Sequence, residues 1–493
     1  MLFNHSSEFP YQVEQLFDYH EQAGAINRLI PPWEPATVVS SNDSLAVGSL
    51  VTVKNKIGPI QQTWVSEHSD YNPHELFVDK LRSGPFASWT HQHRFESLGN
   101  SRSRLTDSIE YKLYAAPLSN FLQSWVESKL TAMFRFRHRI TADDLNFASK
   151  LLGSPYSSVD RQLKIGISGS SGLIGRRTVE LARVLGIDVV RVTRVSRGES
   201  TGRETQARWP RGVTSVREDQ LDEIEGLDAW IHLGGAGIAD RRWTSSYKKT
   251  IRDTRIESTQ KLVDRLSKLK RPPKALVCAS GIGIFGDRGD EILDESQAVD
   301  TSASAQDFLM QVARDWEAMA MRYQARSGRV ALARFGMVLH PRAGALSKML
   351  LPFRMGVGGP MGNGKQYWPW VHIDDAASIL LFLALKSDCQ GPVNVVAPEC
   401  FNNRDFSKVL ARVLHRVSWL PAPSFALRVA LGQMADSLLL ASTRAVPGVL
   451  LKSGYQFRFP TLEGALRNLL GTEVSREPHG ASRGCEPHGA SRG

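Results

Sequence analysis

Three glycines, Gly169, Gly172 and Gly175, recur every third residue where a short apolar segment, residues 164–168, gives way to a helix-like segment. A dinucleotide pyrophosphate needs such a turn, because the backbone must approach it closely and present the free N–H groups of a helix N-terminus. A strand before the turn, a helix after it and a second strand within about 30 residues complete a βαβ pattern. The sequence therefore predicts a dinucleotide site formed by Gly169, Ser170, Ser171, Gly172, Leu173, Ile174 and Gly175.

The choice of dinucleotide is read at the end of the second strand, residues 193–197, which are Thr-Arg-Val-Ser-Arg. A carboxylate there would accept hydrogen bonds from a free ribose 2′-OH, whereas an arginine would pair with a 2′-phosphate. The segment has no carboxylate and contains Arg194 and Arg197. It predicts NADP(H) rather than NAD, with Arg194 as the contact. The alternative is that both arginines are only solvated surface.

Later segments at predicted strand ends carry a family resemblance, in order, over residues 164–470. They read IHLGGAGIADRRWT, IRDTRIEST, FGDRGDE, GGPMGNGKQYWPWVHIDD and YQFRFPTLEGAL. Together they resemble the atypical NAD(P)-dependent "epimerase family" of extended short-chain dehydrogenases/reductases. The resemblance implies a Rossmann-type fold for residues 164–400 and a small helical C-terminal module over residues 401–470. It also implies that Leu233, Gly234, Gly235 and Ala279 join the cofactor site.

In that superfamily a Tyr-x-x-x-Lys pair performs the acid/base step of hydride transfer, and a serine orients the substrate oxygen. Phe308 and Val312 occupy the places where this pair would be sought, so the standard dyad is absent. Ser280 is the candidate catalytic residue, although a shift of one position would place Gly281 there instead.

Six further charged or polar residues could cluster at strand ends, where doubly wound sheets bind ligands. Each of them can equally have a structural role. In particular, Asp374 or Asp375 is expected to cap a helix. The six are Asp287, Arg288, Arg241, Lys365, His372 and Asp374.

The elements that must position these residues alternate in type. Apolar strands are predicted at 229–233, 275–279, 330–334 and 393–396, with helix-like stretches at 245–268 and 306–325 between them. Strands that alternate with helices form a parallel sheet with helices on both faces. The fold class predicted for this region is α/β, with a doubly wound parallel sheet.

Residues 1–150 instead alternate as an antiparallel sheet, with an opening helix and a long closing helix over residues 118–140. The segments LIPPWE, GPFASWTH, TDSIEY and FRHR resemble the START-like, or SRPBCC, helix-grip superfamily, in the subgroup fused to reductase-like domains. This resemblance implies an α+β domain that holds an apolar or aromatic ligand between sheet and helix. Its own opening helix, sheet and closing helix, followed by a polar linker, predict that residues 1–150 fold independently. The aromatic residues Trp33, Trp64, Trp89 and Phe134 would line that cavity or belong to an ordinary core.

Three histidines of this domain, His91, His93 and His138, raise the question of a metal site. Alternation places His91 and His93 on one face of a strand, but the sequence offers no carboxylate partner that can be placed beside them. We interpret them as structural histidines and predict no metal ion.

Composition limits the remaining possibilities. The 493 residues are too many for one core, and the apolar fraction of 42% is ordinary for a globular protein. The four cysteines lack ligand-like spacing, and no leader or membrane-length apolar run occurs, which predicts a cytoplasmic protein. The net charge of +11 is spread among acidic neighbours, which disfavours nucleic-acid binding. Residues 151–163 are predicted to form a linker, and the repeated residues 471–493 a disordered tail.

Two hypotheses for the function follow. The first is an NADP-dependent epimerase or oxidoreductase-like enzyme with an unidentified small-molecule substrate. The second is a non-catalytic protein that couples NADP occupancy to an apolar ligand in the N-terminal domain. The oligomeric state is left open by the sequence.

Overall fold

The computed structural model describes residues 1–57, 60–114, 119–153, 162–193, 212–217, 220–221, 224–299, 307–386 and 388–472. The predictions for Arg194 and Arg197, for most of the linker and for nearly all of the tail concern residues outside these ranges. Within them, no helix is both long and apolar enough to span a bilayer.

The N-terminal region is an antiparallel sheet covered by a long helix, as predicted. The strands lie in the order β1-β7-β6-β5-β4-β3-β2. The elements are β1(Leu2–Phe9), α1(Val13–Glu21), α2(Ala25–Arg28), β2(Ala36–Ser41), β3(Leu50–Ile57), β4(Ile60–Asn72), β5(Leu76–Ser83), β6(Ser88–Gly99), β7(Arg102–Lys112) and α3(Ser119–Leu152).

Helix α3 is longer than predicted, because it continues unbroken through residues 141–152, where a separate short helix was expected. The extension has a tertiary reason, since Asp144 in this part of α3 is fully buried among arginines of other elements. The predicted cavity residues have different surroundings. Trp64 and Trp89 meet edge to face with ring centroids 5.0 Å apart, in one cluster with Phe134, while Trp33 packs on Phe136. These direct ring contacts favour the core interpretation.

The second region confirms the predicted doubly wound sheet, with seven parallel strands in the order β10-β9-β8-β11-β12-β14-β17. Short β13, β15 and β16 lie outside it. The elements are β8(Lys164–Ser168), α4(Leu173–Val184), β9(Asp188–Thr193), β10(Val213–Arg217), β11(Ala229–His232), α5(Ser245–Leu266), β12(Ala275–Gly281), β13(Ile292–Leu293), α6(Phe308–Met321), β14(Arg329–Phe335), β15(Met337–Leu339), α7(Gly344–Arg354), β16(Trp370–His372), α8(Ile373–Leu385) and β17(Gly391–Val395).

The C-terminal region is mostly helical. Its short strand β18 pairs with β13, so it is attached to the parallel-sheet region by backbone hydrogen bonds. The elements are α9(Asn403–Val413), α10(Ser424–Leu431), α11(Gln433–Ala435), β18(Arg444–Ala445), α12(Gly448–Lys452) and α13(Leu462–Leu470).

A buried ionic cluster joins the three regions. Arg28 of α2 donates to Asp144 of α3 from Nε and Nη2, at 2.7 Å each, and also bonds Asp374 at the start of α8. Asp374 Oδ1 accepts from Arg177 Nε of α4 at 2.7 Å, and Asp144 Oδ1 accepts from Arg458 Nη1 at 2.6 Å. The arginines hold the pKa of Asp374 well below its usual range, although burial opposes this. The boundaries 1–150, 164–400 and 401–470 stay predictions, since this cluster and one apolar core cross them.

Removing one carboxylate from this cluster should be strongly destabilising. We expect Asp374→Asn to lose about 3 to 5 kcal/mol of unfolding free energy, because the buried guanidinium group of Arg28 and the half-buried one of Arg177 lose their shared counter-charge. Urea unfolding measures the loss. Glu8→Gln is the control, since its exposed pair with Arg104 is worth at most about 1 kcal/mol. Equal urea midpoints for Asp374→Asn and the wild type would contradict the importance of the cluster.

Candidate functional site

The three glycines of the turn before α4 serve different purposes. Gly169 has a φ of +77°, and a Cβ on it would lie 2.6 Å from the Leu233 carbonyl carbon. A Cβ on Gly175 would lie 2.3 Å from the Gly169 carbonyl oxygen. Gly172, the N-cap of α4, has an ordinary φ of −70°, and its Cβ would meet only that oxygen, at 3.3 Å. Packing therefore explains the first and third glycines, whereas a Cβ on Gly172 would have a single close neighbour, the Gly169 carbonyl oxygen.

The remaining turn residues surround the N-terminus of α4. Ser170 is buried, while Ser171 and Gly172 are exposed, and Leu173 and Ile174 are half-buried. The first N–H groups of a helix have no acceptor within it, so they are available to an anion at this exposed end. The structure thus brings the predicted turn residues together at the edge of the parallel sheet.

The loop after β11 forms the facing side of this edge. Leu233 donates its backbone N–H to the Ser168 carbonyl at 2.9 Å, which joins the loop to the end of β8. Farther along, Thr254 Oγ1 accepts from the Ala236 N–H at 3.0 Å, and Arg255 Nη1 donates to the Ala236 carbonyl at 2.9 Å. Helix α5 therefore fixes the loop that contains the predicted Gly234 and Gly235.

His232 is a residue of this site that the sequence analysis missed. Its Nδ1 lies 2.5 Å from Ser168 Oγ, and its Nε2 is buried with no hydrogen-bond partner among the described residues. Burial, aided by the charge of Arg255, lowers the pKa of His232 to about 4, so the ring is neutral at neutral pH. The available signal was a polar residue at the carboxyl end of an apolar strand. An unpaired buried nitrogen at this position is a group that a bound ligand would satisfy.

Buried histidines also predict acid sensitivity. Burial lowers the pKa of His20 and His232 to about 4 and that of His372 to about 3. Below the unfolded pKa of 6.5 the unfolded chain binds protons that the folded chain does not, so stability falls as pH falls towards 4. We expect the thermal midpoint to drop between about pH 6.5 and pH 4, and to drop less in His232→Asn. The exposed variant His415→Asn should keep the wild-type profile, and a flat profile for the wild type would contradict the prediction.

Arg191, on β9, is the second residue that the sequence analysis missed. Its Nε donates to Ser170 Oγ and its Nη1 to Ser215 Oγ, both at 3.3 Å. Burial lowers its pKa, with a smaller contribution from Arg176 of α4. The signal was an arginine in the middle of a valine-rich strand. Positive charge therefore lies beside the glycine turn, three residues before Arg194, which is outside the described part of the chain.

Ser280, the candidate catalytic serine, lies near the end of β12 beside Ala279 but faces α6. Its hydroxyl donates to Glu317 Oε1 at 2.7 Å, and Arg334 holds the same carboxylate with two bonds of 2.8 and 2.9 Å. The next residue, Gly281, faces more space, because a Cβ there would meet nothing closer than 3.9 Å. A catalytic role for Ser280 stays a prediction, and in this geometry its proton is held by Glu317.

Phe308 and Val312, the positions at which the sequence analysis sought the Tyr/Lys pair, lie at the start of α6. The Phe308 ring meets Trp243 with centroids 5.2 Å apart, and Lys248 Nζ lies 5.3 Å from the Phe308 centroid. Val312 is buried. Neither side chain can donate a proton, and that these are the positions of the standard pair stays a prediction.

The six additional candidates have separate surroundings. His372 Nδ1 accepts from the Asp374 N–H at 3.0 Å, so the cap of α8 is His372, and the expectation that Asp374 or Asp375 caps it is wrong. The side chain of Asp374 is held by arginines, and Asp375 accepts from the backbone N–H groups of Arg458 and Phe459. The others are bonded elsewhere or exposed: Asp287 to Ser442, Arg288 to Glu291, and Arg241 and Lys365 on the surface.

The histidines of the N-terminal sheet do have carboxylate partners, so that part of the sequence interpretation is wrong. Asp79 and Asp107 lie on the strands on either side of β6, and both contact His91 and His93. Cross-strand register, which the sequence alone did not give, brings them together. Burial opposes the charged form of His91, but the two aspartates outweigh it and raise its pKa to about 9.

A cleft of about 350 Å³ separates the glycine turn from the N-terminal region. Asn27 and Thr37 line it on one side, and Ser171, Arg176 and Arg342 line it on the other. One surface of the turn therefore faces the N-terminal region across open space.

Three family models match successive parts of the chain. Residues 9–148 match "Polyketide cyclase / dehydrase and lipid transport", and residues 165–396 match "NAD dependent epimerase/dehydratase family". Residues 422–469 match a domain of unknown function, DUF1731. These matches follow the order of the three regions of the fold.

Curated relatives match a little under two thirds of the chain. Epimerase family protein ML0860 of Mycobacterium leprae is 34% identical over 310 residues, which are 63% of this chain and 96% of that protein. Epimerase family protein YfhF of Bacillus subtilis is 33% identical, over 62% of this chain and 98% of its own length. The human epimerase family protein SDR39U1 is 33% identical, over 62% of this chain and 100% of its own.

Two solved structures are also similar. A nucleoside-diphosphate sugar epimerase from Corynebacterium glutamicum has a TM-score of 0.74 at 27% identity, covering 96% of this chain and 90% of that one. Human SDR39U1, solved with NADPH, has a TM-score of 0.55 at 30% identity, covering 62% of this chain and 99% of that one. The Corynebacterium structure therefore matches the arrangement of the N-terminal region as well.

Proposed function

Because the chain belongs to the NAD dependent epimerase/dehydratase family, we propose that it binds NADP(H) at the turn from Gly169 to Gly175. We propose further that it is an epimerase- or oxidoreductase-like protein without the standard Tyr/Lys pair, acting on a small molecule not yet identified. The observation that carries the cofactor assignment is the exposed N-terminus of α4, which begins at the exposed Gly172 of the glycine turn. The NADPH in the structure of the human relative supports it.

The residues present fit this cofactor. The exposed first turn of α4 would bind the phosphates, with Leu173 and Ile174 contributing backbone N–H groups. The loop from Leu233 to Gly235 would form the opposite side, and the unpaired His232 Nε2 would gain a partner. When bound, NADP(H) supplies a hydride donor or acceptor, and the protein supplies position and charge.

Proton transfer is where this chain departs from the wider superfamily. Phe308 has no exchangeable proton, and the Ser280 hydroxyl already donates to Glu317. The proton must then come from another group or from water, which limits the rate of any carbonyl reduction or epimerisation. We therefore expect the protein to bind NADP(H) but to catalyse carbonyl reduction or epimerisation slowly.

Two arginines should decide the preference for NADPH over NADH. We expect Arg191→Ala and Arg194→Ala each to weaken NADPH binding by about tenfold or more, because a guanidinium–phosphate contact contributes about 1.5 to 3 kcal/mol. Affinity for NADH should change little, since NADH lacks the 2′-phosphate. Calorimetric titration with both nucleotides measures this, with the exposed Arg412→Ala as the control. Equal losses of NADH and NADPH affinity would contradict the assignment.

The second candidate, a nucleotide-responsive binding protein, is favoured by one further observation. Helix α4 begins at the glycine turn and carries Arg177, which bonds Asp374, which in turn bonds Arg28 of the N-terminal region. A nucleotide bound at the glycine turn would thus lie about one turn of helix α4 from Arg177, which takes part in the contact between the two regions. This candidate requires nucleotide binding without turnover, and the enzyme candidate requires turnover.

A further inference from the structure

The buried polar cluster of the N-terminal sheet has a regular geometric origin. Asp79 of β5 is paired directly with His91 of β6, and Asp107 of β7 is paired directly with His93. Residues paired across antiparallel strands point to the same face of the sheet. All four therefore lie on one face, and His138 of α3 contacts Asp107 on it, so this is the face that α3 covers.

Three of the side chains are spaced as ligands of one ion. Asp79 Oδ2 lies 3.1 Å from His91 Nδ1 and 3.6 Å from His93 Nε2. One ligand atom from each of the three side chains falls within 4.8 Å of the others. Ligands bound to a tetrahedral zinc ion at about 2.0 to 2.1 Å are separated by about 3.3 Å. The observed distances thus bracket the separation that a shared ion would impose.

The opposite nitrogens of the same imidazoles face a second carboxylate. His91 Nε2 is hydrogen-bonded to Asp107 Oδ1 at 2.9 Å, whereas His93 Nδ1 lies 2.6 Å from the same oxygen without the angles of a hydrogen bond. Histidines that bind a metal usually donate the other ring N–H to a carboxylate, which fixes the tautomer and the ring orientation. Asp107 Oδ2 in turn lies 2.5 Å from His138 Nε2, and His138 Nδ1 lies 2.8 Å from Ser7 Oγ.

An unsatisfied histidine provides independent support. His68 of β4 is paired directly with Asp79, on the side away from His91, and is 7% exposed. Its Nδ1 has no hydrogen-bond partner among the described residues. A buried polar atom without a partner calls for an explanation, and a nearby ion or ion-bound water would supply one.

We propose that Asp79, His91 and His93 bind one divalent transition-metal ion of the Zn²⁺ class, with Asp107 orienting the His91 imidazole. Two imidazole nitrogens favour such an ion over Mg²⁺, which prefers oxygen ligands. The side chains of Asp79 and His93 remain 16% and 12% exposed, so an ion can reach the site in the folded protein. Three protein ligands leave a fourth position for water or for the approach of His68.

The test uses the full-length protein, stripped with a chelator and titrated calorimetrically with ZnCl₂ and, separately, MgCl₂. We expect one Zn²⁺ per chain and no comparable binding of Mg²⁺. Asp79→Asn and His93→Gln should each abolish this binding, and Asp107→Asn should weaken it about 10- to 100-fold. The exposed His415→Asn is the matched control and should bind as the wild type does.

Cobalt(II) gives a readout that does not depend on the variants folding. We expect Co²⁺ to bind the wild type with visible absorption bands that disappear on addition of Zn²⁺. Absence of Zn²⁺ binding and of Co²⁺ bands in the wild type would overturn the proposal and leave a purely structural His–Asp network. Zn²⁺ binding that survives in folded Asp79→Asn and His93→Gln proteins would overturn it too, since the ion would then be bound elsewhere.

Discussion

Gly172→Val should abolish NADPH binding in a protein that still folds. The φ of −70° at Gly172 is one that valine adopts without strain, and the added Cβ would lie 3.3 Å from the Gly169 carbonyl oxygen, a tight contact that a shift of a few tenths of an ångström relieves. We expect its methyl groups to lie at the exposed first turn of α4, where the pyrophosphate is proposed to bind. Losing two charge-assisted hydrogen bonds of about 1.5 kcal/mol each weakens binding by at least about 100-fold. Fluorescence titration with NADPH measures the loss, and circular dichroism and the thermal midpoint report the fold.

Substitutions at two other glycines are the controls for the effect of Gly172→Val on NADPH binding. Gly464→Val, at the start of α13, alters a helix N-terminus far along the chain and should leave NADPH affinity unchanged. Gly175→Val should instead destabilise the protein, because its Cβ would lie 2.3 Å from a backbone oxygen. Full-strength NADPH binding by a folded Gly172→Val protein would show that the turn is an ordinary one.

The second large effect concerns turnover. We expect the wild-type protein to oxidise NADPH slowly or not at all with generic carbonyl or nucleotide-sugar substrates, since a missing acid/base group typically costs about 10²- to 10⁴-fold in rate. The Phe308→Tyr/Val312→Lys variant introduces both groups of the dyad at the positions where it was predicted to be absent. Phe308→Tyr alone is also informative, because Lys248 Nζ already lies 5.3 Å from the ring centroid. NADPH absorbance followed over time measures the rate.

The control for these variants is Phe308→Leu, which changes the ring without adding a proton donor. A gain in rate with the tyrosine variants but not with leucine would support a weakened enzyme. No gain, with NADPH binding retained, would support the binding-protein candidate. Brisk turnover by the wild type would contradict the account, because a catalytic acid would then exist that neither candidate includes.

Sequence pattern alone predicted the parallel sheet and the glycine turn, because both depend on local order. The predicted helix at 245–268 corresponds to α5(Ser245–Leu266), and the predicted helix at 306–325 to α6(Phe308–Met321). Spacing of apolar residues and short turns determines these elements within a few neighbours. The turn at Gly169 is likewise set by residues that are adjacent in the chain.

The side-chain hydrogen bonds and ion pairs could not be predicted from the sequence, because each joins residues that are far apart in the chain. Arg28 and Asp374 are 346 residues apart, Ser280 and Glu317 are 37 apart, and His232 and Ser168 are 64 apart. The partners of His91 and His93 depend on the register of three strands, and a slip of one residue would turn every side chain to the other face. The long continuation of α3 has the same origin, since a tertiary ionic cluster stabilises it.

Titration of the full-length wild-type protein with NADPH and with NADH tests the central claim most directly. We predict that one NADPH binds per chain, about tenfold or more tightly than NADH. The preference should come from the charge of Arg191 and Arg194 beside the glycine turn. Failure of NADPH to bind would contradict the nucleotide site itself. Equal affinities, or a preference for NADH, would contradict the role of the two arginines.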